Sequence, residues 1–144
     1  MSNQNTFVKH SISCSMAQQM ISAAEQKARE LGIQIATAIV DESGVLKAFS
    51  RMDGAPLVAG GVAIKKGMTA VGFGIPTGKS WHDFVKDDPI LLHGCQSIDQ
   101  FTMFGGGFPI QASGQTVGAI GVSGGHYTKD EECARAGLAA VGVG

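Results

Sequence analysis

The run Ile33 to Val40, nearly continuous in apolar and β-branched residues, is parted from a second strand-like run, Val45 to Arg51, by only four residues, Asp41-Glu42-Ser43-Gly44. A connection that short has no room for a crossover, so the two runs must pair antiparallel as a hairpin. The second half of the chain repeats the pattern. Phe101 to Phe104, Phe108 to Ala112 and Val117 to Ser123 predict three more short strands, parted by Gly105-Gly106-Gly107 and Ser113-Gly114-Gln115.

Helical periodicity surrounds these strands. Ser15 to Leu31 carries an apolar stripe of Met16, Met20, Ala24, Ala28 and Leu31. Ser15 and Gln18 make a capping-box pattern at its start, and Gly32 stands where a left-handed C-terminal cap is expected. Leu57 to Val71 predicts a second helix, with Leu57, Gly61, Ile64, Met68 and Val71 on one face and Val58 and Val62 widening the arc. Phe73 to Ser97 is looser and broken by Pro76 and Pro89, with room for one or two short helices. Thr128 and Glu131 make a second capping box, opening a last helix with Ala134, Leu138 and Val141 on one face. The order α-β-β-α-(α)-β-β-β-α implies an α+β fold, an antiparallel sheet of about five strands packed against helices. The 144 residues are expected to form a single domain.

Composition narrows the function classes. Eleven basic and twelve acidic side chains give a net charge of −1 without like-charge runs, so neither a nucleic-acid surface nor a polybasic membrane patch is expected. No stretch approaches the roughly 20 apolar residues of a membrane-spanning helix. Met1 to His10 has no apolar signal region. Cys14, Cys95 and Cys133 are odd in number and far apart, which suits free thiols in a cytoplasmic protein. Glycine stands out at 21 residues, about twice its usual share, and its clustering in the second half predicts tight turns.

Several motifs fail on spacing. Gly72 to Ser80 ends in Gly78-Lys79-Ser80, but position 73, where a P-loop needs its first glycine, is Phe73. His82, Asp83, Asp87, Asp88, His93 and Cys95 have ligand chemistry, yet no pair has a recognised metal-site spacing. Lys65 falls within the apolar arc of the second helix and Lys66 just outside it; such a lysine snorkels, pairs with a carboxylate or faces a polar cavity. Gly118 to Gly125 ends a strand in Ser123-Gly124-Gly125 and leads through His126 to a helix N-terminus. Those free N–H groups either attract an anion or are met by the acidic first turn of Asp130, Glu131 and Glu132.

Taken in order, Arg51-Met52-Asp53-Gly54-Ala55, Lys66 with Thr69-Ala70, Gly106-Gly107-Phe108-Pro109-Ile110, Gly118 to Gly124 and Asp130-Glu131 are similar to the pattern of the GlcG/HbpS-like family. That family includes the C-terminal domain of PduO-type corrinoid adenosyltransferases. The likeness covers nearly the whole chain, with Lys129 where other members carry glutamine. It implies a profilin-like fold, homo-oligomers from dimers to octamers, haem or corrinoid-related binding in some members, and a setting in diol or hydroxy-acid metabolism. A small-molecule ligand pocket is expected from Arg51, Asp53, Lys66, Gly106, Gly107, Ser123, Gly124, His126 and Asp130. Were haem the ligand, His10, His82, His93 and His126 are the histidines available to its iron. Two other functions remain open. One is an enzyme using Lys66 or Lys65 with Asp53 or Asp130 as acid–base groups on a small carbonyl or hydroxy acid. The other is a structural assembly partner.

Overall fold

The computed structural model describes residues 4–142. The first helix, α1, spans Cys14–Leu31 and is followed by β1 (Ala36–Asp41) and β2 (Leu46–Arg51). Ser13 caps α1 through a 3.1 Å bond from the Met16 N–H to its Oγ, so the cap lies two residues before the expected Ser15. Gly32 closes the helix in the left-handed conformation, as expected. In the hairpin turn, Asp41 Oδ1 accepts from the N–H groups of Ser43 and Val45 at 2.9 and 3.0 Å. A single side chain thereby sets the turn.

The long helix α2 (Ala59–Phe73) leads to two short helices, α3 (Lys79–Val85) and α4 (Pro89–Gly94), and a 3₁₀ turn at Cys95–Ser97. β3 (Gly107–Ala112) and β4 (Gln115–Ser123) form a second hairpin, and α5 (Tyr127–Ala140) ends the described chain. One antiparallel sheet results, ordered β2-β1-β4-β3. It has four strands, not about five. Phe101 to Phe104 forms no strand, because β3 already holds the free side of β4. The backbone of that run bonds elsewhere: the Thr102 N–H donates to Thr69 Oγ1 at 3.0 Å, and the Met103 carbonyl accepts from the Gly78 N–H at 2.7 Å.

The sheet has a different partner on each face. Ile35 and Ile39 beside β1 and on it, with Ile120 and Val122 on β4, pack against α1 and α5 in the main core. Ala36, Ala38, Val40 and Ala119 face α2, where they meet Ala59, Ala63 and Ala70. This second interface is thin because small residues line both sides. A Cβ on Gly121 would collide with the Ala63 carbonyl and the Gly67 N–H. Hence α2 does not bury the face expected from its larger residues. Leu57, two residues before the helix, is 92% exposed, Gly61 faces solvent, and the stripe of Ala59, Ala63, Gly67 and Ala70 goes inward. Leu57 and Val58 also fall outside the helix, which starts two residues later than predicted.

Candidate functional site

At the end of β4 the sheet, α2 and α5 converge on one buried ion pair. Lys66 of α2 is 1% exposed and so is Asp130 of α5. Lys66 Nζ donates to Asp130 Oδ2 at 3.0 Å and to the Val122 carbonyl at 2.7 Å. The other carboxylate oxygen, Asp130 Oδ1, accepts from the Gly125 N–H at 2.9 Å. Burial pushes the Lys66 amine below its ordinary value of 10.5, opposed by the negative charge of Asp130 beside it and, less strongly, of Glu131.

The two lysines have thus exchanged roles relative to the helical-wheel expectation: Lys66 is inside and Lys65 is exposed. Burial follows the small residues, and Lys66 shares the face of Ala59, Ala63 and Ala70. Gly106, with φ +126°, lies against this pair. A Cβ there would collide with the Val122 carbonyl and sit 3.0 Å from Lys66 Nζ. Gly107 exchanges bonds with Thr77: its N–H donates to Thr77 Oγ1 at 2.8 Å, and its carbonyl accepts from the Thr77 N–H at 3.0 Å.

Of the expected site residues, Lys66, Gly106, Gly107, Ser123, Gly124 and Asp130 fall in this convergence, Ser123 and Gly124 as the chain neighbours of Val122 and Gly125. Arg51 and Asp53 fall outside it. Arg51 pairs with Ala36, which pairs on its other side with Ser123, so a whole strand intervenes and Arg51 is about 10 Å from Ser123 across the sheet. Both Arg51 and Asp53 are exposed. His126 is the N-cap of α5, with its Nδ1 accepting from the Thr128 N–H at 3.3 Å. This replaces the Thr128–Glu131 capping box. Asp130 is also no exposed helix-stabilising charge, as an acidic first turn would have made it. The carboxyl of Glu131 packs instead over Gly105 and Gly78, in the space their missing side chains leave.

On the outer side of Gly105 and Glu131 opens a depression of about 860 Å³. Its apolar walls come from Val62 of α2, from Phe101, Met103 and Phe104 of the segment before β3, and from Tyr127 of α5. Phe104 is 64% exposed and Tyr127 45%, so two rings are presented to solvent. Phe101 is braced from behind by Trp81 and Phe73, at ring-centre distances of 5.2 and 6.2 Å. Polar groups edge the opening: Lys65, Lys79, His82, Gln96, Thr128 and Glu131. Lys79 is engaged by Asp83 at 2.6 Å, whereas Lys65 makes no ion pair among the described residues. An apolar, ring-lined hollow with an unengaged cation at its edge suits a flat or apolar molecule bearing carboxylates.

Little in the sequence marks this hollow. Lys65, Lys79 and His82 carry recognisable chemistry but no motif, and the aromatic wall is drawn from segments that the sequence predicts as a strand or a helix start.

The chain matches the family described as haem degrading protein HbpS-like over residues 12–139. This protein belongs to the HbpS-like family. It is 33% identical over 130 residues to the corrinoid adenosyltransferase PduO of Salmonella typhimurium, covering 88% of this chain and 38% of that one. The chain therefore spans about two fifths of the length of that relative. Among solved structures, a double mutant of Streptomyces reticuli HbpS superposes with a TM-score of 0.88 at 29% identity, over 99% of this chain and 94% of that one. A PduOC complex with haem superposes with a TM-score of 0.81 at 30% identity, over 93% and 97%. The α+β fold and the family resemblance expected from the sequence both hold.

Proposed function

We propose that this HbpS-like protein is a ligand-binding accessory protein whose hollow between α2, α3, the 98–106 segment and α5 takes haem or a small oxygenated, carboxylated metabolite. The observation that carries this reading is the pairing of exposed aromatic rings with the unengaged Lys65 at one opening. Haem needs apolar surfaces for its macrocycle, cations for its propionates and a donor for its iron. Phe101, Phe104 and Tyr127 fit the first need, Lys65 the second, and His82 supplies a donor of the right type. The PduOC–haem complex, a structural relative at 30% identity, supports the same ligand class. The kinship with PduO supports a setting in diol or hydroxy-acid metabolism. Exposure of Leu57 and Val58 at the start of α2 supports assembly into a homo-oligomer.

The Lys66–Asp130 pair belongs to the frame behind this hollow. Each group satisfies the other in the interior, which leaves neither free as an acid–base catalyst facing solvent.

A thermal-shift screen of haemin, cobalamin and C2–C4 hydroxy acids tests the proposal. A ligand present at 100 times its Kd stabilises the native state by about 2.7 kcal/mol. A rise in Tm with haemin or a hydroxy acid, reduced in Lys65→Ala, is the expected result. No shift with any of them would leave the structural-partner role in its place.

A further inference from the structure

We propose that His82 is the axial ligand of the iron when haem occupies the hollow, which rests on the haem reading of that site. The sequence has four histidines, and the fold separates them. His10 precedes α1, His93 lies on α4, and His126 commits its Nδ1 to capping α5. His82 alone among them lines the hollow. Its side chain is exposed and, among the described residues, makes no hydrogen bond, so both ring nitrogens are open to a ligand.

Its position on α3 matters. His82 adjoins Trp81, whose ring is 4% exposed and packed 4.5 Å from Phe73 and 5.2 Å from Phe101. The short helix is thus pinned by a buried indole, while the next side chain in sequence turns to the opening. Lys79, one turn earlier on the same helix, also lines the hollow, with its ammonium paired to Asp83. A neutral imidazole nitrogen gives its lone pair to the ferric iron, and the iron releases the water or chloride it held. No electron is transferred. Tyr127 and Met103, which line the same hollow, carry two other haem-ligating atoms, an oxygen and a sulfur.

Haemin and metal-free protoporphyrin IX, titrated separately, distinguish ligation from wall contact. Both porphyrins should bind the unaltered protein. His82→Ala should shift the Soret band and weaken haemin at least about tenfold, close to 1.4 kcal/mol. It should leave protoporphyrin IX affinity and Tm unchanged, because His82 is exposed and unbonded. His93→Ala should leave the haemin spectrum unaltered. A Soret band and haemin affinity that survive His82→Ala would overturn the assignment while the haem reading stands. So would equal loss of both porphyrins, or a spectrum altered by Tyr127→Phe in place of His82→Ala. If the unaltered protein binds neither porphyrin, the haem reading fails and the assignment with it.

Discussion

Lys66 and Asp130 are 64 residues apart in sequence and 3.0 Å apart in space, and almost no solvent reaches either. Their contact ties α2 to α5 across the end of β4, and the Val122 carbonyl and Gly125 N–H complete the connection.

Breaking this pair should be costly. Asp130→Asn keeps a side-chain oxygen for the Gly125 N–H but leaves the Lys66 ammonium without a counter-charge. Removing one partner of a buried ion pair costs about 3–5 kcal/mol. Urea denaturation of Asp130→Asn and Lys66→Ala at pH 7 should show losses of this size. The double variant Lys66→Met with Asp130→Leu should lose less than the two single losses added together. A single-variant loss below about 1 kcal/mol would mean that water or a neighbouring group compensates.

Thiol reactivity should sort the three cysteines. Cys14 is exposed, whereas Cys95 and Cys133 are buried. Burial, with the negative charges of Asp130 and Glu132, pushes the Cys133 thiol up to about 11 from 9.0. A disulfide reagent at pH 8 should therefore titrate one thiol quickly in the native protein and three in denaturant.

The same shift predicts an alkaline weakening of the fold. The unfolded chain gives up the Cys133 proton near pH 9.0 and the folded chain only near 11. Stability from this group is thus fully present below pH 9 and lost as pH rises towards 11. Lys66 acts in the opposite sense, because its folded value lies below 10.5 and the unfolded chain keeps that proton longer. Comparing Cys133→Ala with the unaltered protein isolates the thiol: the variant should lose less stability between pH 9 and 11. Parallel curves would show that Cys133 titrates alike in both states.

Gly121→Ala should be among the most damaging small changes. The added methyl meets backbone atoms of Ala63 and Gly67, which cannot rotate away as a side chain would. Overpacking of this kind costs about 1–3 kcal/mol, read from the urea midpoint. Gly61→Ala, in open space on the solvent side of the same helix, should be neutral or mildly stabilising.

The two adjacent lysines should separate by readout. Lys65→Ala should lower ligand-dependent stabilisation and leave the Tm of the free protein within a degree or so, since an exposed lysine without an ion pair contributes little. Lys66→Ala should lower that Tm sharply. Equal effects would mean that Lys65 is not at the ligand's edge.

Much of the fold is legible in local pattern. Four residues between Val40 and Val45 dictate a hairpin, Gly32 ends α1, and the glycine-separated runs in the second half place β3 and β4 within a residue or two. Those features depend on turn chemistry and side-chain periodicity, which act over a few residues. The sequence also marks a lysine on α2 that must snorkel, pair or face a polar cavity, though the helical wheel puts Lys65, not Lys66, within the apolar arc.

The remainder required distance information that no local pattern holds. Which face of α2 goes inward depends on the narrow gap over Gly121, which admits Ala63 and Gly67 and leaves Leu57 in solvent. That gap turns Lys66 in and Lys65 out. Phe101 to Phe104 has strand composition, but β4 has two sides, and β1 and β3 occupy both. Arg51 ends its strand near the level of Ser123, yet strand order puts β1 between them. Sequence alone determined most of the elements and the hairpin turns, because these are short-range. The tertiary structure decided which side chains share a cavity, because that follows from how closely three layers can approach.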